Sequence, residues 1–307
     1  MNIEQAVHIP VLKNEILEVL YSTETKSVFD GTLGLGGHAK ATLEQYPNIQ
    51  TYYATDLDPQ HLSEAARRLK AFQDKLSLHN TSFTEIHSIL TKATHPLSIL
   101  LDLGICSNHV DEAEKGFSFK ADGPLKMSFS GDNAAEVFVN EASETEIRNA
   151  LRNFGEMPNA QQISKEIVKY RQETRITRTH ELKNLIETHT HPLKRKKAVT
   201  QAFQAIRIAV NEELKVIETT INRAFSVMQS GDKLGIITYH SLEDRLVKRL
   251  FKELSTPITQ ADNFSLHSVV QPAVGKLINK KPILPSETEI QNNPRSRSAK
   301  LRIIQKV

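Results

Sequence analysis

Along the first third of the chain, apolar residues fall alternately into short continuous runs and longer stripes of helical period. Ser27-Val28-Phe29-Asp30, Ile49 to Leu57, Leu76 to His79 and Leu97 to Leu103 have the length and composition of strands, and the last is strongly apolar. Leu62, Ala65, Ala66 and Leu69 recur on one side of a stretch that also carries Arg67, Arg68 and Lys70, which predicts a helix over residues 60–72. Strands alternating with helices require crossover connections, so the expected sheet is parallel.

The pattern changes after the fourth strand. Strand signals nearly vanish between residues 108 and 209, apart from a loop-like stretch rich in Gly and Ser at 116–131. Helical patterns cover 143–154, 160–173 and 179–187, the first opened by the capping box Ser143-x-x-Glu146. One long amphipathic helix is expected over about 199–228. Residues 233–239 restore a strand, a helix starts at Ser241, and 255–294 reads as extended loop before a closing strand at 299–306. The expected architecture is an α/β domain built from residues 1–107 and 210–307, interrupted by a helical insertion at 108–209.

Composition narrows the class. The 307 residues are 39% apolar and 24% charged, ordinary for a globular protein with a sizeable core. The single cysteine, Cys106, excludes a disulfide framework and fits a reducing compartment. No apolar run approaches membrane-span length, and the start of the chain carries Glu4 without the blocks of a signal peptide, so the cytoplasm is expected. Net charge is only +3, but it is segregated: residues 165–207 hold 11 Lys and Arg against 4 Asp and Glu, and residues 267–307 hold 8 against 2. Two such runs, one containing Lys194-Arg195-Lys196-Lys197, leave a polyanion partner and solvated helix faces as equal readings.

Candidate chemistry begins at Asp30-Gly31-Thr32-Leu33-Gly34-Leu35-Gly36-Gly37-His38, which follows the first strand and opens a helix. Asp56 ends the second strand, where an acid can accept hydrogen bonds from ribose hydroxyls, and Asp102 ends the fourth. Gly34-x-Gly36-x-x-Ala39 also satisfies the dinucleotide fingerprint. Acids at three strand ends favour a cationic sulfonium over a pyrophosphate, and a ligand-free turn explains the glycines but not the acids. The ranking is therefore sulfonium cofactor, then dinucleotide, then bare turn.

Three other features carry possible chemistry. Cys106, just past the fourth strand, could serve as the thiolate of a cytosine-C5 methylation, but a small packing role fits better. His240-Ser241-Leu242-Glu243-Asp244-Arg245 lacks a second histidine at ligand spacing, so no metal site is expected; Ser241 and Asp244 read as a helix-capping pair. Arg207 and Asn211, at i and i+4, read equally as a buried polar pair or as substrate contacts, and Arg295 and Arg297 equally as phosphate contacts or as surface arginines without a role.

Taken together, the strings are those of a known family. His8-Ile9-Pro10-Val11-Leu12, the loop from Asp30 to His38, Asp56-x-Asp58-Pro59 and Leu101-Asp102-Leu103-Gly104 are joined by Gly116-Phe117-Ser118-Phe119 and Asp122-Gly123-Pro124-Leu125. Then follow Phe203-Gln204-Ala205-x-Arg207-Ile208-x-x-Asn211-x-Glu213-Leu214, His240 to Arg245, and Asn293-Pro294-Arg295-x-Arg297-Ser298. In order and at these spacings, the chain resembles the RsmH (MraW) family of bacterial ribosomal RNA methyltransferases nearly from end to end. The resemblance implies a Rossmann-like class I S-adenosylmethionine-dependent methyltransferase fold with an inserted helical domain. It implies methylation of a cytidine N4 in the decoding (P-site) region of 16S rRNA, within the small ribosomal subunit; neither a membrane nor a DNA partner is expected. It places cofactor contacts on Gly36, Gly37, His38, Asp56, Phe83 and Asp102, with His109 where the family has glutamine. Asp102, Asn211 and His240 are the catalytic candidates.

Two segments depart from the family. Cys106-Ser107-Asn108-His109 replaces Ser-Ser-Pro-Gln, and Pro124-Leu125-Lys126-Met127-Ser128-Phe129 replaces Pro-Leu-Asp-Met-Arg-Met. The second loop is expected near the reaction centre. The competing expectation is a non-catalytic ribosome-assembly factor that keeps the fold and the cofactor while losing turnover.

Overall fold

The computed structural model describes residues 9–104, 112–129, 132–260 and 269–307. The chain divides into two compact units, residues 1–104 with 216–307, and residues 105–215.

The first unit is built on a sheet. Its strands are β1 (Ser27–Asp30), β2 (Thr51–Thr55), β3 (Leu76–His79), β4 (Leu97–Asp102), β5 (Lys233–Thr238), β8 (Gly275–Leu277) and β9 (Lys300–Lys306). A separate antiparallel ribbon pairs β6 (Ile258–Gln260) with β7 (Val269–Gln271). The sheet order is β3-β2-β1-β4-β5-β9-β8, with β1 to β5 parallel and β9 running antiparallel to both its neighbours. Every residue of β1 and all but the last of β4 are buried, which explains why neither alternates between apolar and polar positions: a strand covered on both faces has no polar side.

The order reverses between β1 and β4. Successive strands run outward from β1 through β2 to β3, and then from β4 to β5 on the other side. An open α/β sheet leaves a crevice at the carboxyl ends of its strands at such a point. Asp30 and Asp102 are the last residues of the two strands that flank it, and β1 residue Asp30 is in register with Leu100 of β4.

The second unit is helical, with helices Ala134–Glu141, Glu144–Asn153, Ala160–Arg171, Thr179–Thr188 and Arg195–Val210. Their buried stripes meet in one core that includes Leu125, Met127, Ile147, Leu151, Ile163, Ile186, Phe203 and Ile206. Fully burying each such side chain contributes on the order of 2 kcal/mol. The Ser143–Glu146 capping box is present as expected from its spacing.

Several expected elements differ. The long helix over 199–228 is two helices, Arg195–Val210 and Glu213–Val227, broken at Asn211 and Glu212. Glu212 takes a left-handed backbone (φ 48°), and the Arg207 guanidinium spans the break to Glu213 through two bonds of 2.6 and 2.8 Å. Hydrophobic period alone cannot register a turn that keeps the stripe nearly in phase. Helix 60–72 ends as α-helix at Arg68 and continues as a 3₁₀ turn over Lys70–Lys75. The stretch 255–294 is not simply loop, since it contributes β6, β7, β8 and the helix Glu287–Asn292. Asp244 does not cap the helix Ser241–Leu254. It pairs instead with Arg302 (2.7 Å) and Lys300 (3.2 Å) of β9, and His240 with Glu243 forms the capping box.

Candidate active site

The glycine loop is shaped by its own hydrogen bonds. Asp30 Oδ1 accepts from Thr32 N (3.0 Å), Thr55 O from Leu33 N (3.1 Å), Asp56 Oδ2 from Gly34 N (2.8 Å) and Leu33 O from Gly36 N (2.9 Å). Gly34 (φ 53°) and Gly36 (φ 79°) lie in the left-handed region, where a side chain would strain the backbone. Gly36 is the N-cap of the helix Gly37–Gln45 and brings no capping side chain. The first-turn N–H groups, on Gly37 and His38, have no acceptor within the helix and suit an anionic group of a ligand. Gly31 packs so tightly that an added Cβ would collide with Leu101 and come within 2.8 Å of Phe83 Cβ, which fixes Phe83 against the end of β1.

The three strand-end acids have different surroundings. Asp56 is partly accessible. Its two oxygens accept from Gly34 N and Asp58 N (2.8 Å each), with His61 Nδ1 3.4 Å away, and each oxygen retains a lone pair for a ribose hydroxyl. Asp102 is also partly accessible. Tyr239 OH donates to its Oδ1 at 2.8 Å, and buried His38 Nε2 stands 3.7 Å from its Oδ2 without a hydrogen-bond partner among the described residues. Thr32 Oγ1 accepts from the Asp102 backbone N–H (2.8 Å), tying the glycine loop to the end of β4.

Asp30 is the exception. It is 1% exposed, and Tyr52 OH donates to its Oδ2 at 3.0 Å. Burial raises its pKa from 3.8 to about 6, against the lowering effects of His38, Thr32 and Tyr52. Of the three strand-end acids expected to favour a sulfonium, Asp30 is therefore a buried support of the loop and not an open ligand contact. The case for a sulfonium rests on Asp56 and Asp102.

Tyr239 was missed as a site residue. It follows β5, its hydroxyl engages Asp102, and its ring lies where a Cβ on Gly104 (φ 136°) would come within 2.9 Å. Burial and the Asp102 charge hold its phenol well above the usual range, so it is a permanent donor. The only sequence signal was its place at a strand end beside His240. That histidine sits in the same unit: its Nδ1 accepts from Glu243 N (3.4 Å), and its Nε2 lies 3.0 Å from Glu243 Oε1 but off the line a hydrogen bond needs.

Asn211 belongs to the second unit, where its side-chain amide is committed to backbone groups. It donates to Met127 O (2.7 Å) and Arg207 O (2.8 Å) and accepts from Phe129 N (3.0 Å). The departing loop at 124–129 is thereby held in the core of that unit, with Leu125 and Met127 buried and Phe129 stacked on Phe117 at 5.3 Å. His109 and Cys106 lie outside the described residues.

A model of the MraW methylase family matches residues 5–307. The chain belongs to this family. Ribosomal RNA small subunit methyltransferase H of Heliobacterium modesticaldum is 37% identical over 98% of each chain. The protein of the same name from Maridesulfovibrio salexigens is 35% identical over 99% of this chain and 97% of its own. Among solved structures, an rRNA methylase from Streptococcus thermophilus covers 100% of this chain and 99% of its own at 11% identity and a TM-score of 0.41. A methyltransferase homolog from Pyrococcus horikoshii covers 96% and 66% at 12% identity and a TM-score of 0.43. As an MraW-family methylase, the protein is a methyltransferase with the Rossmann-like α/β fold of S-adenosylmethionine-dependent enzymes. The residues present suit that cofactor: an open helix N-terminus for a carboxylate, Asp56 for a ribose, and an acid at the end of β4 for positive charge.

Proposed function

We propose that this methyltransferase modifies the N4 amino group of a cytidine in the decoding (P-site) region of 16S rRNA, within the small ribosomal subunit of the cytoplasm. The names of its relatives support small-subunit rRNA as the substrate. The observation that carries the chemistry is the Asp102 carboxylate, anchored on one oxygen by Tyr239 and with the other 3.7 Å from buried His38 Nε2.

S-adenosylmethionine supplies an electrophilic methyl group on a sulfonium. Gly36, Gly37 and His38 would hold its carboxylate end, Asp56 its ribose and Phe83 its adenine side. Asp102 would hold positive charge at the end of β4. An in-line displacement depends mainly on such positioning and charge placement.

The target amine is a poor nucleophile because its lone pair is delocalised into the ring. An acceptor that orients the amino protons and later takes one would raise its reactivity. Asp102 and His240 are the candidates for that role, each ionisable and each partly accessible. Asn211 is a weaker one, since an amide is no base and this one is spent on the 127–129 backbone.

The test is methyl transfer from labelled S-adenosylmethionine to small subunits isolated from cells lacking the modification. Label in 16S rRNA is expected, reduced at least about 10²-fold by Asp102→Ala. Cofactor binding without transfer would instead mark an assembly factor that has lost turnover.

A further inference from the structure

The second unit carries a concentration of charge that its own fold does not explain. His191, Pro192, Leu193, Lys194, Arg195, Lys196 and Lys197 are all exposed, and Leu193 is 92% accessible. They form a 3₁₀ turn, Pro192–Lys194, that leads directly into the helix Arg195–Val210. Lys194 is the N-cap and makes no side-chain cap, and the first turn that follows is Arg195-Lys196-Lys197 with no acidic residue.

This arrangement is unfavourable in three ways. The aligned peptide dipoles place partial positive charge at the start of a helix, so cations there are repelled. The four cations also repel one another. Finally, no acid answers them among the described residues; Arg195 Nε turns instead to a backbone carbonyl, donating to Thr190 O at 3.3 Å. Elsewhere in the same unit cations are paired, as Arg175 is with Glu136 and Glu141, and Arg178 with Asp122.

A turn that works against its own helix is explained by an anion supplied from outside. We infer that residues 191–197 form a docking surface for the phosphate backbone of RNA, with the exposed Leu193 side chain offered to an unstacked base. Four adjacent exposed cations where a 3₁₀ turn enters the positive end of a helix suit a run of closely spaced phosphates. The chemistry fixes position on the RNA and carries no sequence readout. The inference deepens the proposed rRNA substrate and rests on it for the identity of the RNA.

One variant separates this account from a merely solvated face, because the fold and the ligand pull in opposite directions. Replacing Lys194, Arg195, Lys196 and Lys197 together with Glu turns a repulsive helix start into an attractive one. The variant is expected to melt about 2–6 °C higher than the parent protein. Its affinity for a small-subunit rRNA fragment is expected to fall about 10²-fold at physiological salt. The slope of log K against log salt should flatten by about 3.

Unchanged RNA affinity and salt slope in a folded variant would overturn the inference. So would loss of binding to vesicles of phosphatidylglycerol and phosphatidylcholine while RNA binding persists, which would mark a lipid surface. S-adenosylmethionine binding, measured on the same samples by calorimetry, should be unaltered. The substrate reading fails separately, if the parent protein does not methylate small subunits at all.

Discussion

The strand-end acids of the first unit and the cations at 194–197 of the second are both concentrations of like charge, and the fold treats them in opposite ways. Asp30 receives Tyr52 OH and Thr32 N–H, Asp56 receives Gly34 and Asp58 N–H, and Asp102 receives Tyr239 OH. Every acid is answered from within. The four cations have no acid beside them among the described residues and stand on the positive end of a helix. Charges that a fold has answered shape and stiffen a site that is made in advance. Charges it has left unanswered await something that arrives from outside.

The largest effect should follow from removing an answered acid. Asp56→Ala takes away the acceptor of two loop N–H groups as well as the proposed ribose contact, so S-adenosylmethionine affinity should fall about 10²- to 10³-fold by calorimetry. A loss below about fivefold would show that the loop holds its shape without Asp56.

Asp30 sharpens the comparison because its answer is incomplete. Burial lifts its pKa from 3.8 to about 6, so the folded state binds its proton more tightly than the unfolded chain does. Its contribution to stability is therefore greatest below about pH 4 and is lost as pH rises through 6. Asp30→Asn should remove that loss. Relative to the parent, the variant should gain up to about 3 kcal/mol as pH rises from about 3 to about 7 in chemical denaturation. A pH-independent difference would contradict the burial argument.

Tyr239→Phe keeps the ring against Gly104 but removes the donor to Asp102. A loss of about tenfold in kcat/KM is expected with little change in melting temperature. If the phenylalanine variant transfers methyl groups at the parent rate, Asp102 needs no fixed orientation. The smallest effect belongs to the unanswered side. Lys196→Ala alone should raise the melting temperature by about 1 °C while slightly weakening RNA binding, and a lower melting temperature would show that the lysine has an internal role after all.

The fold was largely legible because its signals are local. β1 and β4 are short apolar runs buried on both faces, and the helix after Ser143 announces its own cap. The break at Asn211–Glu212 was hidden because the apolar stripe continues almost in phase across it, and the strands within 255–294 because three-residue strands leave almost no periodicity. Around the candidate site, the places of Asp56 and Asp102 at the ends of β2 and β4 and the glycine turn after β1 could be read from the sequence. Tyr239 could not, since its role depends on β5 lying beside β4, a pairing between residues far apart in the chain. Asp30 was read as facing a ligand because sequence position does not reveal which way a strand-end side chain turns.

The central claim concerns one atom, and nucleoside mass spectrometry tests it most directly. Small subunits lacking the modification would be incubated with this protein and methyl-labelled S-adenosylmethionine, and the 16S rRNA digested to nucleosides. The account predicts labelled N4-methylcytidine at a single position. Label on cytosine C5, on another base, or spread over many cytidines would contradict it.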